Sequence, residues 1–168
     1  MDWTGARYAD KPTVEVSTWI AADPERVWDL VSDIEVMPTL SDELESVEWV
    51  DGAQGPGVGA TFAGHNKHKA VGRWVSHSHV IEFDAPLVFA WAVGDLDNPA
   101  AIWRFRLAPD NGGTTLTYWA QMGPGPSGVL RAIGAMPDKE QEIVFDRMRA
   151  FEKAMTSVLA GIKTLAER

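Results

Sequence analysis

Between Leu44 and Met122, turn chemistry interrupts the chain every eight to fifteen residues. DGAQGPGVG (51–59), KHKAVG (67–72), DAP (84–86), GDLDNP (94–99) and PDNGG (109–113) supply the glycine, proline, asparagine and aspartate that chain reversals use. They divide this part of the chain into six short strand-like runs. Connections this short favour an antiparallel meander.

The flanking segments have other periods. TVEVSTWI (13–20) alternates Val14, Val16, Thr18 and Ile20 against Glu15, Ser17 and Trp19, the period of a further strand. Asp23 followed by Pro24 opens a short helix with Val27, Trp28, Leu30, Val31 and Ile34 on one face, ending near Asp33. Pro38 limits a second helix there to about one turn. A long helix spans 138–165, where Val144, Met148, Phe151, Met155, Leu159, Ile162 and Leu165 recur at spacings of three and four. The expected class is α+β: a seven-stranded antiparallel sheet and one long C-terminal helix that bury each other's apolar sides, with one or two short helices after the first strand. Residues 1–168 read as one domain, with 1–12 as an N-terminal extension.

Composition narrows the function classes. Lys and Arg number 15 against 24 acids, a net charge of −9, which disfavours nucleic acid and anionic membrane surfaces. No apolar run approaches the length of a membrane span, and MDWTGARYADKP lacks the apolar stretch of a signal peptide, so a cytoplasmic protein without membrane insertion is expected. With no cysteine there is no disulfide, thiol nucleophile or thiolate metal site. The eight tryptophans are spread through the chain and cannot all form one compact cluster; so many bulky rings suit a lined cavity as well as a solid core.

VEVSTWIAADPERVWDLVSDI, GATFAGHN, DAPLVFAW, the strand carrying Trp103 and Phe105, NGGTTLTYWA and RMRAFEKAMTSVLAGIKTLAE together resemble the polyketide cyclase/dehydrase branch of the START-like (SRPBCC, birch-pollen-allergen-like) superfamily. The resemblance covers nearly the whole chain. It implies a helix-grip fold, in which a curved sheet wraps the C-terminal helix around a hydrophobic cavity. It also implies a small hydrophobic ligand, such as a polyketide, an isoprenoid or a lipid-like molecule; no cofactor is expected. Some members of that branch transform a bound polyketide, so a cyclase or dehydrase is the alternative. A protein-interaction module with a filled core is a third class. Oligomeric state is not legible.

Strand parity assigns the faces. Outward Lys67 places His65 and Ala63 outward and Phe62, Gly64 and Asn66 inward. Outward Arg73 places Trp74, Ser76, Ser78 and Val80 inward and Val75, His77 and His79 outward. The two strands agree if Asn66 opposes Trp74. The outward set Val75, Ile81 and Phe83 is then unusually apolar, and a bulge between Val80 and Phe83 is one resolution. Phe89, Trp91, Val93, Trp103, Phe105 and Leu107 face in, as do Leu116, Tyr118, Ala120 and Met122 by the family alignment. That leaves Trp119 pointing outward with no partner evident in the sequence.

The candidate ligand wall is Phe62, Asn66, Trp74, Ser76, Phe89, Trp91, Trp103, Phe105 and Tyr118 from the sheet, with Met148, Phe151 and Met155 from the helix. Asn66, Ser76, Tyr118 and Trp103 supply polar handles. As catalytic groups, Tyr118 and Asn66 are candidates, with Glu82 if it faces in and with His77 and His79 if the register slips by one. No metal site is expected, because His77 and His79 on one strand face with His65 diagonal to them offer two convergent ligands rather than three or four. GPSG (125–128) is not a nucleophile elbow, and the glycines at 55, 57 and 59 lack the helix a phosphate loop needs. The Gly- and Pro-rich segment 123–137 is read as a mobile lid or as an ordered connector with a short helix.

Overall fold

Seven strands form one antiparallel, curved sheet in the order β1-β7-β6-β5-β4-β3-β2. They are β1 (Thr13–Ile20), β2 (Leu44–Val50), β3 (Thr61–His68), β4 (Gly72–Asp84), β5 (Val88–Gly94), β6 (Pro99–Asp110) and β7 (Gly113–Met122). The computed structural model describes residues 1–69 and 72–168. The turn expected at 67–72 includes Ala70 and Val71, which lie outside the described residues. From β2 to β7 each strand pairs with the next, as the spacing of the turns requires. The chain then closes differently: β1 pairs with β7, so the segment from β1 to β2 must cross from one sheet edge to the other. It crosses through α1 (Pro24–Val31), a 3-10 turn and α2 (Met37–Leu40).

One turn shows how local chemistry sets register. Asn111 and Gly112 both have positive φ (47° and 77°), the left-handed backbone that a two-residue hairpin needs and that these two residue types tolerate best. Asp110 therefore pairs with Gly113, and every β6–β7 pair follows from it, including Phe105 with Tyr118 and Trp103 with Ala120.

The 27-residue helix α4 (Glu140–Ala166) follows α3 (Gly128–Ala135) and a 3-10 turn at Pro137–Lys139. The long helix thus begins two residues later than its apolar stripe implies, because proline initiates the tighter turn. It buries Val144, Met148, Met155, Val158, Leu159, Ile162 and Ala166. It lies closest over β1 and β7, while α1 and α2 fill part of the remaining concave side. Leu40 approaches α4 at Gly161, where a Cβ would collide with its side chain.

Segment 123–137 is the connector that contains a short helix. The Ser127 hydroxyl caps α3 by accepting from the Leu130 amide (3.1 Å), and buried Tyr8 fastens the preceding loop. The Tyr8 hydroxyl donates to the Gly125 carbonyl (2.6 Å) and lies 2.8 Å from Ser127 Oγ. The N-terminal extension thereby becomes part of the fold. It is also held by Arg7 to Glu140 (2.9 Å) and by Gln141 to the Gly5 carbonyl (2.6 Å).

Candidate ligand-binding site

The β3–β4 register settles where the histidines go. Asn66 opposes Trp74, Gly64 opposes Ser76 and Phe62 opposes Ser78, so the unslipped parity holds. His65, His77 and His79 occupy the outer face. His65 contacts Glu48 (3.1 Å) and His79 contacts the Thr61 hydroxyl (2.9 Å). His77 is exposed. No group of three His, Cys, Asp or Glu side chains able to hold a metal occurs among the described residues.

β4 carries a bulge between Val80 and Glu82. The extra residue, Ile81, shifts the parity, so Val80 still pairs with inward Trp91 while Phe83 pairs with inward Phe89. Two expectations change with it. Phe83 faces in, packing on Trp28 (ring centroids 5.2 Å) and Phe89 (5.6 Å), and does not belong to an apolar outer patch. Glu82 faces out and pairs with Arg104 (2.7 Å), so it is not a desolvated base. The same guanidinium sits 4.8 Å over the Trp119 ring, which accounts for the outward tryptophan as a cation–π partner.

The inner face is a continuous aromatic surface. Trp28, Phe83, Phe89, Trp91, Phe62, Trp49, Phe105, Tyr118, Trp103 and Phe151 form one chain of ring contacts with centroids 4.0–6.5 Å apart. Four of the eight tryptophans therefore do converge, because strands far apart in sequence become neighbours in the sheet. Trp28, Trp49 and Phe83, the members missing from the sequence-derived wall, enter from α1, from the edge strand β2 and from β4 beyond its bulge. Alternation in LESVEWV could have pointed to Trp49.

Among the other wall candidates, Phe89 and Phe105 are fully buried and Trp103 and Phe151 are half-buried against each other (4.7 Å). Met155 is buried in the core. Met148 is buried in the same core and also borders a cavity of about 200 Å³ under the N-terminal segment, with Thr4, Ala6, Pro12 and Phe145. Trp74, Asn66 and Ser76 are half-buried at the far end of the β3–β4 hairpin, where the Asn66 amide donates to Ser76 Oγ (3.2 Å) and to the Gly64 carbonyl (3.1 Å). Asn66 and Tyr118 are four strands apart, about 19 Å measured along the sheet. The two polar handles are not brought together.

Tyr118 stacks on Phe105 (centroids 4.0 Å, 19°) and is 4 % exposed. Burial pushes its phenol well above the ordinary tyrosine value, so it stays protonated. Its hydroxyl has no hydrogen-bond partner in the described protein, and neither do Ser78 Oγ and Trp91 Nε1. Yet no fully enclosed side-chain nitrogen or oxygen among the described residues lacks a partner. Each of these three polar atoms therefore keeps some accessible surface. At the outer end of the ring chain Arg147 lies 5.2 Å over Phe151 and 3.6 Å from Glu43, linking α4 to the segment before β2.

A curved antiparallel sheet gripping one long C-terminal helix, with short helices after the first strand, defines a helix-grip protein. The chain belongs to the family described as polyketide cyclase / dehydrase and lipid transport, whose model matches residues 11–167. It is similar to the Polyketide_cyc-like protein Cgl2372 from Corynebacterium glutamicum, at 31% identity over 90% of this chain and 88% of that one, with a TM-score of 0.66. The di-domain ARO/CYC BexL from the BE-7585A biosynthetic pathway shares the fold at 17% identity and a TM-score of 0.70; the match covers 94% of this chain and half of that one. Ara h 8.0201 shares it at 15% identity and a TM-score of 0.56, over 89% of this chain and 98% of that one. None of the curated proteins matches the sequence. No helix among the described residues is long and apolar enough to cross a membrane.

Proposed function

We propose that the protein binds a small hydrophobic molecule between the aromatic inner face of the sheet and α4. The observation that carries this reading is the set of unpartnered but unsealed polar atoms, Tyr118 Oη, Ser78 Oγ and Trp91 Nε1, embedded in an otherwise apolar wall. A wall built only to fill a core would give such groups internal partners or omit them. Affinity comes mainly from burial, at roughly 25 cal/mol per Å² of apolar surface, and the polar atoms orient the ligand. The family description, which names lipid transport beside cyclisation, supports the same reading.

Native mass spectrometry of the purified protein, followed by solvent extraction, tests it. The expected result is a bound apolar compound, or uptake of a supplied bicyclic hydrocarbon with a change in tryptophan emission. No adduct and no uptake would refute it.

The family and the fold shared with BexL favour one second reading, a polyketide cyclase acting in the same space. No histidine, aspartate or glutamate is buried among the described residues, so such an enzyme would act chiefly by holding a poly-ketone chain in its reactive conformer. Faster cyclisation of a poly-ketone substrate in the presence of the protein, followed by chromatography, is the outcome this reading requires. The interaction-module reading, which rests on Trp119, Val75, Ile81 and Phe83, loses Phe83 to the core and Trp119 to Arg104, which leaves exposed Val75 and half-buried Ile81 as its support.

A further inference from the structure

Tyr118 and Ser78 are the least exposed of the unpartnered polar groups, at 4 % each, and the ring geometry of Tyr118 restricts what it can recognise. Its ring is held on one side by Phe105 and touched by Trp103 (5.7 Å) and Trp91 (6.5 Å), so the phenol is pinned and the hydroxyl direction is set by the fold. No described protein atom accepts its proton. The hydroxyl keeps some accessible surface although the residue is only 4 % exposed.

From this we infer that Tyr118 is a specificity-determining residue that donates a hydrogen bond to an uncharged oxygen within the ligand's apolar skeleton, a ketone, ester or ether oxygen, and discriminates against a carboxylate at that depth. The inference rests on the ligand-binding reading above and adds the chemistry of the bound group. The charge argument is direct. A carboxylate beside Tyr118 would be stripped of water among aromatic rings, and a single neutral donor does not offset that cost. Arg104 and Arg106, the cations on the neighbouring strand, point to the opposite side of the sheet, and Arg147 stands at the outer end of the ring chain. A neutral oxygen loses far less on desolvation and regains a hydrogen bond whose donor is already ordered. The raised phenol pKa works in the same direction, because the proton stays on Tyr118 at any working pH.

The test uses three bicyclic probes of near-equal size: tetralin, 1-tetralone, which adds one carbonyl oxygen, and 1,2,3,4-tetrahydro-1-naphthoate, which adds a carboxylate. Affinities are read from intrinsic tryptophan fluorescence on the wild-type chain and on Tyr118→Phe, which removes only the hydroxyl. The inference expects wild type to bind 1-tetralone about three- to tenfold more tightly than tetralin, the span of one net hydrogen bond, and to bind the naphthoate most weakly. It expects Tyr118→Phe to erase the preference for the ketone over tetralin; an unaltered circular dichroism spectrum and melting transition show that the variant is folded. An unchanged ketone-to-hydrocarbon ratio in Tyr118→Phe would overturn the role of Tyr118 alone. If none of the three probes bound wild type, the binding reading itself would fall.

Discussion

Replacing Tyr8 with Phe isolates the fastening of α3 and has a magnitude that can be worked out beforehand. The Leu130 amide donates to Ser127 Oγ, the Ser127 hydroxyl donates to Tyr8 Oη, and Tyr8 donates to the Gly125 carbonyl. The Tyr8→Phe change deletes one buried hydroxyl, leaves the Gly125 carbonyl without its donor and frees Ser127 to rotate. Stranding one buried acceptor costs about 2 kcal/mol. For a chain of this length that lowers the melting temperature by about 4–8 °C. The pH dependence has a definite sign. Burial raises the Tyr8 phenol above its ordinary value of 10.0, with the Ser127 contact opposing. A group raised in the folded state contributes fully below its unfolded pKa and loses that contribution as pH climbs through the folded one. The gap between wild type and Tyr8→Phe should therefore be constant from about pH 6 to pH 9 and shrink above about pH 10. Differential scanning calorimetry measures the gap, and hydrogen exchange should show faster exchange of the Leu130 amide in the variant. An unchanged melting temperature together with an α3 that already exchanges freely in the wild type would refute the reasoning and make segment 123–137 a lid.

Three further outcomes follow from the packing. Phe105→Ala removes a fully buried ring stacked on Tyr118 and should cost about 3–5 kcal/mol, seen calorimetrically as a melting temperature lower by about 6–20 °C. Arg104→Ala breaks the outer contacts to Glu82 and Trp119; because Glu82 is 41% exposed, the loss should stay below about 1.5 kcal/mol in denaturant titrations and shrink in high salt. His77→Ala, on the exposed outer face, should alter stability by less than about 0.5 kcal/mol and leave probe affinity and metal content unchanged; lost binding would mean that this face takes part.

The strands and the long helix were legible because their periods differ and because glycine, proline and asparagine mark the reversals. Asn111 and Gly112 show the limit of that legibility in a favourable case: two residues set a turn, and the turn sets a whole register. β4 shows the opposite case. GRWVSHSHVIEFD has no glycine or proline after Gly72 to mark where alternation breaks, so Phe83 and Glu82 exchange faces at a bulge whose existence the apolar excess signals but whose effect parity counting misses. Trp119 was unexplained for a related reason, since its partner Arg104 is a neighbour only across the β6–β7 ladder.

Alternation and turn chemistry, then, determined by themselves that this chain would build a meander and one amphipathic helix, because those signals act between residues a few positions apart. Which aromatic rings meet, which polar atoms are left without an internal partner and which side of the sheet Glu82 occupies were decided only in the tertiary structure. Those outcomes depend on contacts between strands distant in sequence, and a single bulged residue reverses them.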